Sequence, residues 1–231
     1  MKIRFIRHGD PDYVNDTLTE KGRKEAELLA KAAGRLGLGN CYMSPLGRAM
    51  DTAAYSLEAV GKKAEILDWL REFPAQVDVN ESEILQKAYP DAEHKDGNFL
   101  PRIVWDMMPG YWTEHPEYSH PVQWRESQVA KHSDLVSAYD HVIEAFDHFL
   151  EEYGYKREGN HYRVIRENDK TVTLFCHFGI TCVLLSRLWN VSPFILWHSL
   201  ALAPTSVTEV VTEEREQGIA YFRGLRLGDI S

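Results

Sequence analysis

The chain has 231 residues, of which 44% are hydrophobic and 26% are charged, and this length is sufficient for one large domain with a substantial core. Its formal net charge of −9 argues against broad binding to nucleic acid or to anionic membranes, so an anionic ligand would need a local basic pocket. No apolar stretch is long enough to span a bilayer, and the charged N-terminal strand lacks the apolar region of a secretory signal, so we expect a cytoplasmic location.

The first predicted element is an apolar strand over residues 2–6, which ends at Arg7-His8-Gly9. Arginine offers a planar fork of donors that matches a phosphate or a carboxylate. Histidine can act as a nucleophile or a proton carrier near neutral pH, and glycine lets the backbone turn sharply close to a ligand. On their own, these three residues are equally compatible with a solvated turn.

Two helices and two strands are predicted next. Thr19 caps a helix that runs to about Leu36, and the glycines at positions 34, 37 and 39 follow this helix, which indicates a C-terminal cap and turn and not a nucleotide-binding loop. A strand over residues 41–43 precedes a helix over about 46–59, with Arg48 in its first turn. Another strand around residues 65–67 leads to Glu72.

Residues 73–131 break this alternation. They contain six prolines, which excludes a long uninterrupted helix, and we interpret them as a cap insertion of short helices and loops that covers the active site within a single domain of residues 1–231. The aromatic residues of the cap favour a small packed subcore over direct substrate contact. Arg102 and Arg125 are candidates for contact with a second anionic group of a substrate.

The remaining elements return to regular patterns. A helix with an apolar stripe is predicted from about Asp134 to Tyr153, and residues 161–166 and 171–176 are predicted as two paired strands. A helix over about 180–189, a short helix starting at Ser192-Pro193 and two antiparallel edge strands over 207–212 and 219–222 complete the chain. Strands that alternate with helices predict an α/β fold, a three-layer α/β/α sandwich with a mostly parallel central sheet.

Reactive side chains follow several of these strands. The strand over 172–176 ends at His177-Phe178-Gly179 and so repeats the pattern of Arg7-His8-Gly9. In an open parallel sheet the carboxyl ends of the strands converge on the crevice where ligands bind. We therefore expect Arg7, His8, Arg48, Glu72 and His177 to lie close together.

The ordered set of motifs resembles the histidine phosphatase superfamily, the phosphoglycerate mutase-like family. The resemblance covers essentially the whole chain and is carried by the Arg-His-Gly opening, the Leu-Thr-Glu-Lys-Gly helix start at residues 18–22, the Ser-Pro-Leu-x-Arg-Ala-x-x-Thr-Ala block at residues 44–53, the glutamate at 72 and the late histidine at 177. It implies a phosphatase that acts on a small phosphorylated metabolite.

The resemblance also implies the role of each residue. His8 would be the nucleophile that becomes phosphohistidine, and Glu72 would be the proton donor. Arg7, Arg48 and His177 would form the phosphate pocket together with the backbone amide of Phe178. This chemistry needs charge neutralisation and positioning, which two arginines supply, so neither a metal nor another cofactor is expected.

Alternatives remain open from the sequence alone. The mutase-type members of the family have a serine or threonine where this chain has Pro11, which favours hydrolysis over a phosphomutase reaction. A catalytically inactive phospho-ligand binding protein is disfavoured, because binding alone needs no nucleophile or proton donor. Asp10 competes with Glu72 for the role of proton donor. A metal hydrolase lacks any His-Glu-x-x-His motif, and the sequence predicts no oligomeric state.

The three cysteines, Cys41, Cys176 and Cys182, lie in apolar stretches. Their odd number and surroundings predict buried free thiols and no disulfide framework. A cysteine-based phosphatase would place an arginine six residues after its cysteine, and none of the three has one.

Overall fold

A computed structural model describes residues 1–230 and divides the chain into two compact units. The first unit comprises Met1–Glu72, Ala145–Thr181 and Ala201–Ser231, and the second comprises Phe73–Glu144 and Cys182–Leu200. The segment 73–131, predicted as a cap insertion, lies wholly within the second unit. Its covering of the active site stays a prediction.

The chain forms eight α-helices and fourteen strands within the described residues. The helices are α1 Glu20–Leu36, α2 Gly47–Val60, α3 Glu83–Ala88, α4 Pro109–Glu114, α5 Gln128–Lys131, α6 Leu135–Glu152, α7 Phe178–Trp189 and α8 Pro193–Ser199. The strands are β1 Lys2–Arg7, β2 Pro11–Asp12, β3 Thr17–Leu18, β4 Asn40–Met43, β5 Ala64–Ile66, β6 Gln76–Val77, β7 His94–Lys95, β8 Asn98–Phe99, β9 Arg102–Ile103, β10 Tyr155–Glu158, β11 His161–Val164, β12 Thr171–Cys176, β13 Val207–Glu216 and β14 Ile219–Asp229.

The first unit is built on an eight-stranded sheet with the order β10-β11-β14-β13-β1-β12-β4-β5. Strands β1, β12, β4 and β5 are parallel to one another. The other half of the sheet is antiparallel, because β13 pairs with β1, β14 with β13, and β11 with both β14 and β10. The predicted α/β sandwich is thereby confirmed, with a sheet that is mixed across its width and parallel where the strand-end motifs lie.

One predicted strand pairing is wrong. Residues 161–166 and 171–176 do not pair across the turn between them. Strand β11 pairs with β10 and β14, whereas β12 lies between β1 and β4. A tight hairpin would have left β1 without its parallel neighbour. The mainly apolar β12, which is buried along most of its length, is stabilised better at the centre of the sheet than beside a polar strand.

Helices cover both faces of the sheet. On one face, Ile6, Cys41 and Phe175 pack in one cluster with residues of α1 and α2, among them Leu29 and Leu57. On the other face, Tyr42 contacts Phe149 of α6 in an edge-to-face arrangement with ring centroids 5.0 Å apart. Alternation along β4 sends Cys41 and Tyr42 to opposite faces, so the sheet is the middle of three layers.

The start and end of α1 follow from local chemistry. The Oγ1 atom of Thr19 accepts a hydrogen bond from the backbone N–H of Gly22 at 3.0 Å, which satisfies one of the donors that a helix start leaves free. Gly37 ends the helix with a φ of 63°, a left-handed conformation that favours glycine. Both ends agree with the sequence prediction.

The second unit contains an aromatic core of its own. Tyr118 and Trp124 are fully buried. Tyr118 packs edge-to-face on Phe194 with a centroid separation of 4.9 Å, and Trp124 packs on Tyr139 at 5.0 Å. These contacts agree with the interpretation of the aromatic residues as a packed subcore.

The described residues contain neither a helix that could cross a membrane nor a cluster of metal-binding side chains. Between residues 1 and 230, no helix has the length and apolar character needed to cross a bilayer. Within the same residues, no cluster of three or more histidine, cysteine, aspartate or glutamate side chains has the arrangement of a metal site.

Candidate active site

The carboxyl ends of the parallel strands bring the predicted reactive residues together in the first unit. Arg7, the last residue of β1, is in register with Cys176, the last residue of β12. The next residues, His8 and His177, therefore leave neighbouring strands at the same edge of the sheet, and their rings lie 5.0 Å apart between centroids. Although 169 residues separate them in sequence, these two imidazoles share one site.

The ring of His8 is oriented by its own backbone. Its Nδ1 atom lies 2.7 Å from the carbonyl oxygen of Gly9, and because a carbonyl can only accept, this contact requires the proton on Nδ1. The Nε2 atom then carries the free lone pair that a nucleophile needs. The backbone N–H of Gly9 donates to Oγ1 of Thr52 at 2.9 Å, which holds the turn against α2.

The ring of His177 is fixed by a serine. Its Nε2 atom lies 2.8 Å from Oγ of Ser44, and that oxygen also accepts the backbone N–H of Leu46 at 3.2 Å. The hydroxyl proton of Ser44 is thus available for Nε2, which leaves the imidazole proton on Nδ1. This Nδ1 atom is buried and has no hydrogen-bond partner within residues 1–230.

Arg48 enters the site from the first turn of α2 and is 8% exposed. Its Nη1 atom donates to Oδ1 of Asp16 at 2.6 Å, and the backbone N–H of Gly47 donates to the other carboxylate oxygen at 2.7 Å. A Cβ on Gly47 would lie 2.0 Å from the carbonyl oxygen of Asp16, so only glycine permits this approach. Asp16 therefore orients the guanidinium.

Arg7 is held by the backbone and by an aromatic ring. Its Nη1 atom donates to the carbonyl oxygen of Leu202, and its guanidinium carbon lies 5.8 Å from the centroid of the Phe178 ring. Phe178 is the first residue of α7, so its backbone amide belongs to a helix N-terminus, where the helix dipole favours an anion.

The two carboxylates that competed for the role of proton donor have different partners. Oε1 of Glu72 accepts the backbone N–H of Ile180, in the first turn of α7, at 3.0 Å. Asp10 is turned towards α1, because its Oδ2 atom accepts from Oγ1 of Thr19 at 2.7 Å and its Oδ1 atom lies 3.7 Å from Nζ of Lys21. These contacts place Glu72 at the start of α7 and Asp10 at the start of α1, and the role of Glu72 as proton donor stays a prediction.

Burial and the arginines keep both histidines uncharged. Burial lowers the pKa of His8 to about 4; the Gly9 carbonyl opposes this shift, and Arg48 and Arg7 reinforce it. Burial, His8 and the two arginines lower the pKa of His177 to about 2. In the free protein near pH 7, therefore, His177 is a neutral imidazole, and a hydrogen bond from its Nδ1 atom comes from this neutral ring and not from an imidazolium.

These shifts predict how stability depends on pH. The folded-state pKa values of His8 and His177 lie below the ordinary 6.5, so the unfolded chain binds protons first as the pH falls. This stability is fully present above pH 6.5 and is lost as the pH falls, between 6.5 and about 4 for His8 and between 6.5 and about 2 for His177, by up to about 1.4 kcal/mol per pH unit for each histidine. We expect His8→Gln and His177→Gln each to flatten this slope in denaturant titrations.

The exposed His141 supplies the control, since His141→Gln removes an imidazole without changing the buried pair. A slope that is equal in the wild type, His8→Gln and His177→Gln would show that the two buried imidazoles are protonated as readily in the folded as in the unfolded chain.

The candidates for substrate specificity, Arg102 and Arg125, are both paired inside the second unit. Arg102 lies 3.2 Å from Asp91 and 3.3 Å from Asp106. Arg125 donates two hydrogen bonds to the carboxylate of Asp140, at 3.0 and 2.6 Å. A contact with substrate would have to compete with these ion pairs, and the specificity role of both residues stays a prediction.

Four supporting residues were not identified as functional from the sequence: Ser44, Thr52, Asp16 and Glu25. Ser44 and Thr52 lie in the Ser-Pro-Leu-x-Arg-Ala-x-x-Thr-Ala block, so that motif was the available signal. Asp16 carries no signal of its own beyond a short polar loop. Glu25 accepts the backbone N–H of Asp10 at 2.8 Å, and nothing in its local sequence distinguishes it from the other charged residues of α1.

The cysteines do not contribute a nucleophile. All three are buried and free, as predicted, and burial raises the pKa of Cys176 to about 12. A thiol with such a pKa is not ionised at neutral pH and is a poor nucleophile.

Part of the chain matches a known protein family. Residues 3–103 match the family model of the histidine phosphatase superfamily, branch 1. The matched range contains Arg7, His8, Arg48 and Glu72 and ends before His177. No curated protein was found to match the chain.

Solved structures share the fold over nearly the whole chain. The structure titled "Mycobacterial hydrolase 1" has a TM-score of 0.59 at 18% identity, covering 99% of this chain and 98% of that one. A mycobacterial glucosyl-3-phosphoglycerate phosphatase in complex with VO3 has a TM-score of 0.57 at 19% identity, with 98% of each chain covered. A phosphoserine phosphatase from Entamoeba histolytica in complex with 3-phosphoglyceric acid has a TM-score of 0.57 at 15% identity, covering 99% and 96%.

Proposed function

We propose that this chain, whose residues 3–103 match the family model of the histidine phosphatase superfamily, branch 1, hydrolyses a small phosphate monoester through a phosphohistidine formed on His8. The reaction needs no metal, because Arg7 and Arg48 supply the fixed positive charge that a cation would otherwise provide.

One observation carries this proposal. Three nitrogen donors around His8 are buried without a hydrogen-bond partner among the described residues: Nε of Arg7, Nε of Arg48 and Nδ1 of His177. A buried donor without a partner costs about 1–3 kcal/mol, so three of them at one site call for a ligand that accepts several hydrogen bonds. A phosphoryl group, with its charged oxygens, meets that need.

The proposed reaction has two steps. In the first, Nε2 of His8 attacks phosphorus, the bond from phosphorus to the leaving oxygen breaks, and Glu72 gives its proton to that oxygen. In the second, Glu72 takes a proton from a water molecule, the water oxygen bonds to phosphorus, and the phosphorus–nitrogen bond breaks to release phosphate. Arg7, Arg48, His177 and the amide of Phe178 hold the transferring oxygens throughout.

The names of similar structures support the substrate class. One neighbour is called a glucosyl-3-phosphoglycerate phosphatase and another a phosphoserine phosphatase, and both names describe the removal of phosphate from a small phosphorylated metabolite. For this chain we propose the same class of substrate, without a particular member.

The direct test is a panel of phosphorylated metabolites assayed for inorganic phosphate with a chelator present. We expect phosphate release from some members of the panel, unchanged by the chelator. A strict requirement for an added divalent ion would contradict the proposal. Isomerisation of a phosphorylated substrate without phosphate release would instead establish a mutase, and binding without either reaction would establish a phospho-ligand binding protein.

Glu72→Gln should separate substrates by their leaving groups. Alkoxide leaving groups need a proton and p-nitrophenolate does not, so the variant should lose on the order of 10²–10⁴-fold in alkyl phosphate hydrolysis and much less with p-nitrophenyl phosphate. The measurement is kcat/KM for both substrates.

Asp10→Asn is the matched control, since it removes a carboxylate that lies beside the same turn but faces Thr19. We expect it to affect both substrates equally. The selective loss appearing in Asp10→Asn and not in Glu72→Gln would transfer the role of proton donor to Asp10.

A further inference from the structure

A cavity of about 440 Å³ in the first unit is lined mainly by basic side chains: Lys2, Arg4, Arg35 and Arg226, with Glu209 as the only acidic residue of the lining. We name it the basic cavity. Four cations and one carboxylate give its lining a net charge of +3, whereas the whole chain carries −9. None of its residues belongs to the active site described above.

The sheet creates this concentration of charge. Arg4 of β1 is in register with Glu209 of β13, and Glu209 is in register with Arg226 of β14, so three charged residues form one row across three adjacent strands. Arg35 is added from the last turn of α1. The arrangement depends on strand pairing and could not be found from sequence spacing.

Ion pairs with carboxylates of the same unit neutralise only part of the positive charge of the basic cavity. Arg4, which is 5% exposed, lies 2.5 Å from one oxygen of Glu209, and Lys2 lies 3.2 Å from the other. Arg226 lies 3.2 Å from Asp229. Arg35 is exposed and forms no ion pair with any residue between 1 and 230, although the C-terminal dipole of α1 favours a cation at that position.

We propose that the basic cavity binds a small, multiply charged anion of the phosphate class at a site separate from the phosphoryl pocket. Arginine guanidinium groups match phosphate oxygens with two parallel hydrogen bonds. After Glu209 and Asp229 are counted, two positive charges remain uncompensated, which favours an anion with more than one negative charge. The remaining lining, Ala32 and Leu36, is apolar and leaves room for an organic body.

The two sites lie at different ends of the same strand. Arg4 precedes Arg7 by three residues, about 10 Å along a strand that rises about 3.3 Å per residue. Arg4 also donates from Nη1 to the carbonyl oxygen of Gly37 at 2.9 Å, which ties the cavity to the end of α1, whereas the phosphoryl pocket lies beside the start of α2. An anion in one site would therefore not occupy the other.

The test is calorimetric titration with inorganic pyrophosphate at low ionic strength, where exposed charges are least screened. We expect that one equivalent of the pyrophosphate bound by the wild type occupies the basic cavity. This equivalent should remain bound in Arg48→Ala, a variant of the phosphoryl pocket formed by Arg7, Arg48 and His177. In Arg35→Ala/Arg226→Ala this equivalent should bind at least about tenfold more weakly, since the variant removes two guanidinium groups that donate charge-assisted hydrogen bonds to the anion.

Lys63→Ala/Arg215→Ala is the matched control, because it removes two exposed cations outside the cavity lining. Affinity retained in this control and lost in Arg35→Ala/Arg226→Ala supports the proposal. Equal weakening of pyrophosphate binding in both double variants would show that the binding depends only on the overall charge of the protein. Disappearance of all pyrophosphate binding in Arg48→Ala would assign the binding to the phosphoryl pocket. Either outcome overturns the proposal. Thermal unfolding of each variant establishes that it is folded.

Discussion

His8→Ala is expected to lower kcat on the order of 10⁴–10⁶-fold, the range seen when a nucleophile is removed from a preorganised site. The reason is geometric. Nδ1 of His8 is committed to the Gly9 carbonyl, which leaves Nε2 as the attacking atom, and the neighbouring His177 is held through Nε2 by Ser44. No second imidazole can take over the attack on phosphorus.

The measurement combines steady-state kinetics with trapping of the intermediate. Wild-type protein quenched without acid during turnover should yield an acid-labile phosphopeptide that contains His8, and His8→Ala should yield none. His141→Ala, which removes an exposed imidazole, should behave as the wild type. Trapped phosphate on a peptide without His8 would refute the assignment.

Arg48→Ala is expected to produce the second largest loss, about 10²–10³-fold in kcat, as for removal of one donor to a developing oxyanion. Arg48 is 8% exposed, and its Nε is buried without a partner in residues 1–230. The same variant should weaken inhibition by vanadate, because a phosphate-like oxyanion depends on the same donors.

Two variants make this prediction specific. Arg48→Lys keeps the charge but loses the planar fork, so it should recover only part of the vanadate affinity. Arg215→Ala removes an exposed arginine and should leave inhibition unchanged. Unaltered vanadate inhibition in Arg48→Ala would remove Arg48 from the phosphate pocket.

Local sequence was sufficient to predict most elements of the first unit. The cap at Thr19, the end of α1 at Gly37, strand β4 and helix α2 were all predicted within one or two residues, because caps, glycines and apolar periodicity act over a few neighbouring residues. The family resemblance drawn from the strand-end motifs is confirmed by the match over residues 3–103.

Strand partners were harder to predict. The pattern of residues 161–176 indicated a hairpin, yet β12 pairs with β1 and β4 and β11 pairs with β10 and β14. An apolar strand is stabilised wherever the helices on the two sides of the sheet bury both of its faces. Its strand partners are therefore decided by packing across the whole sheet and not by the nearest turn.

The sequence by itself determined which side chains follow the strands, and therefore that two imidazoles, two arginines and a glutamate were predicted to serve phosphoryl chemistry. Only the tertiary structure decided that His8 and His177 share one site, that Ser44 and Asp16 orient the ring of His177 and the guanidinium of Arg48, and that both imidazoles are neutral. The physical reason is that residue identity and periodicity act locally, whereas burial, charge proximity and hydrogen-bond partners arise from segments far apart in the chain.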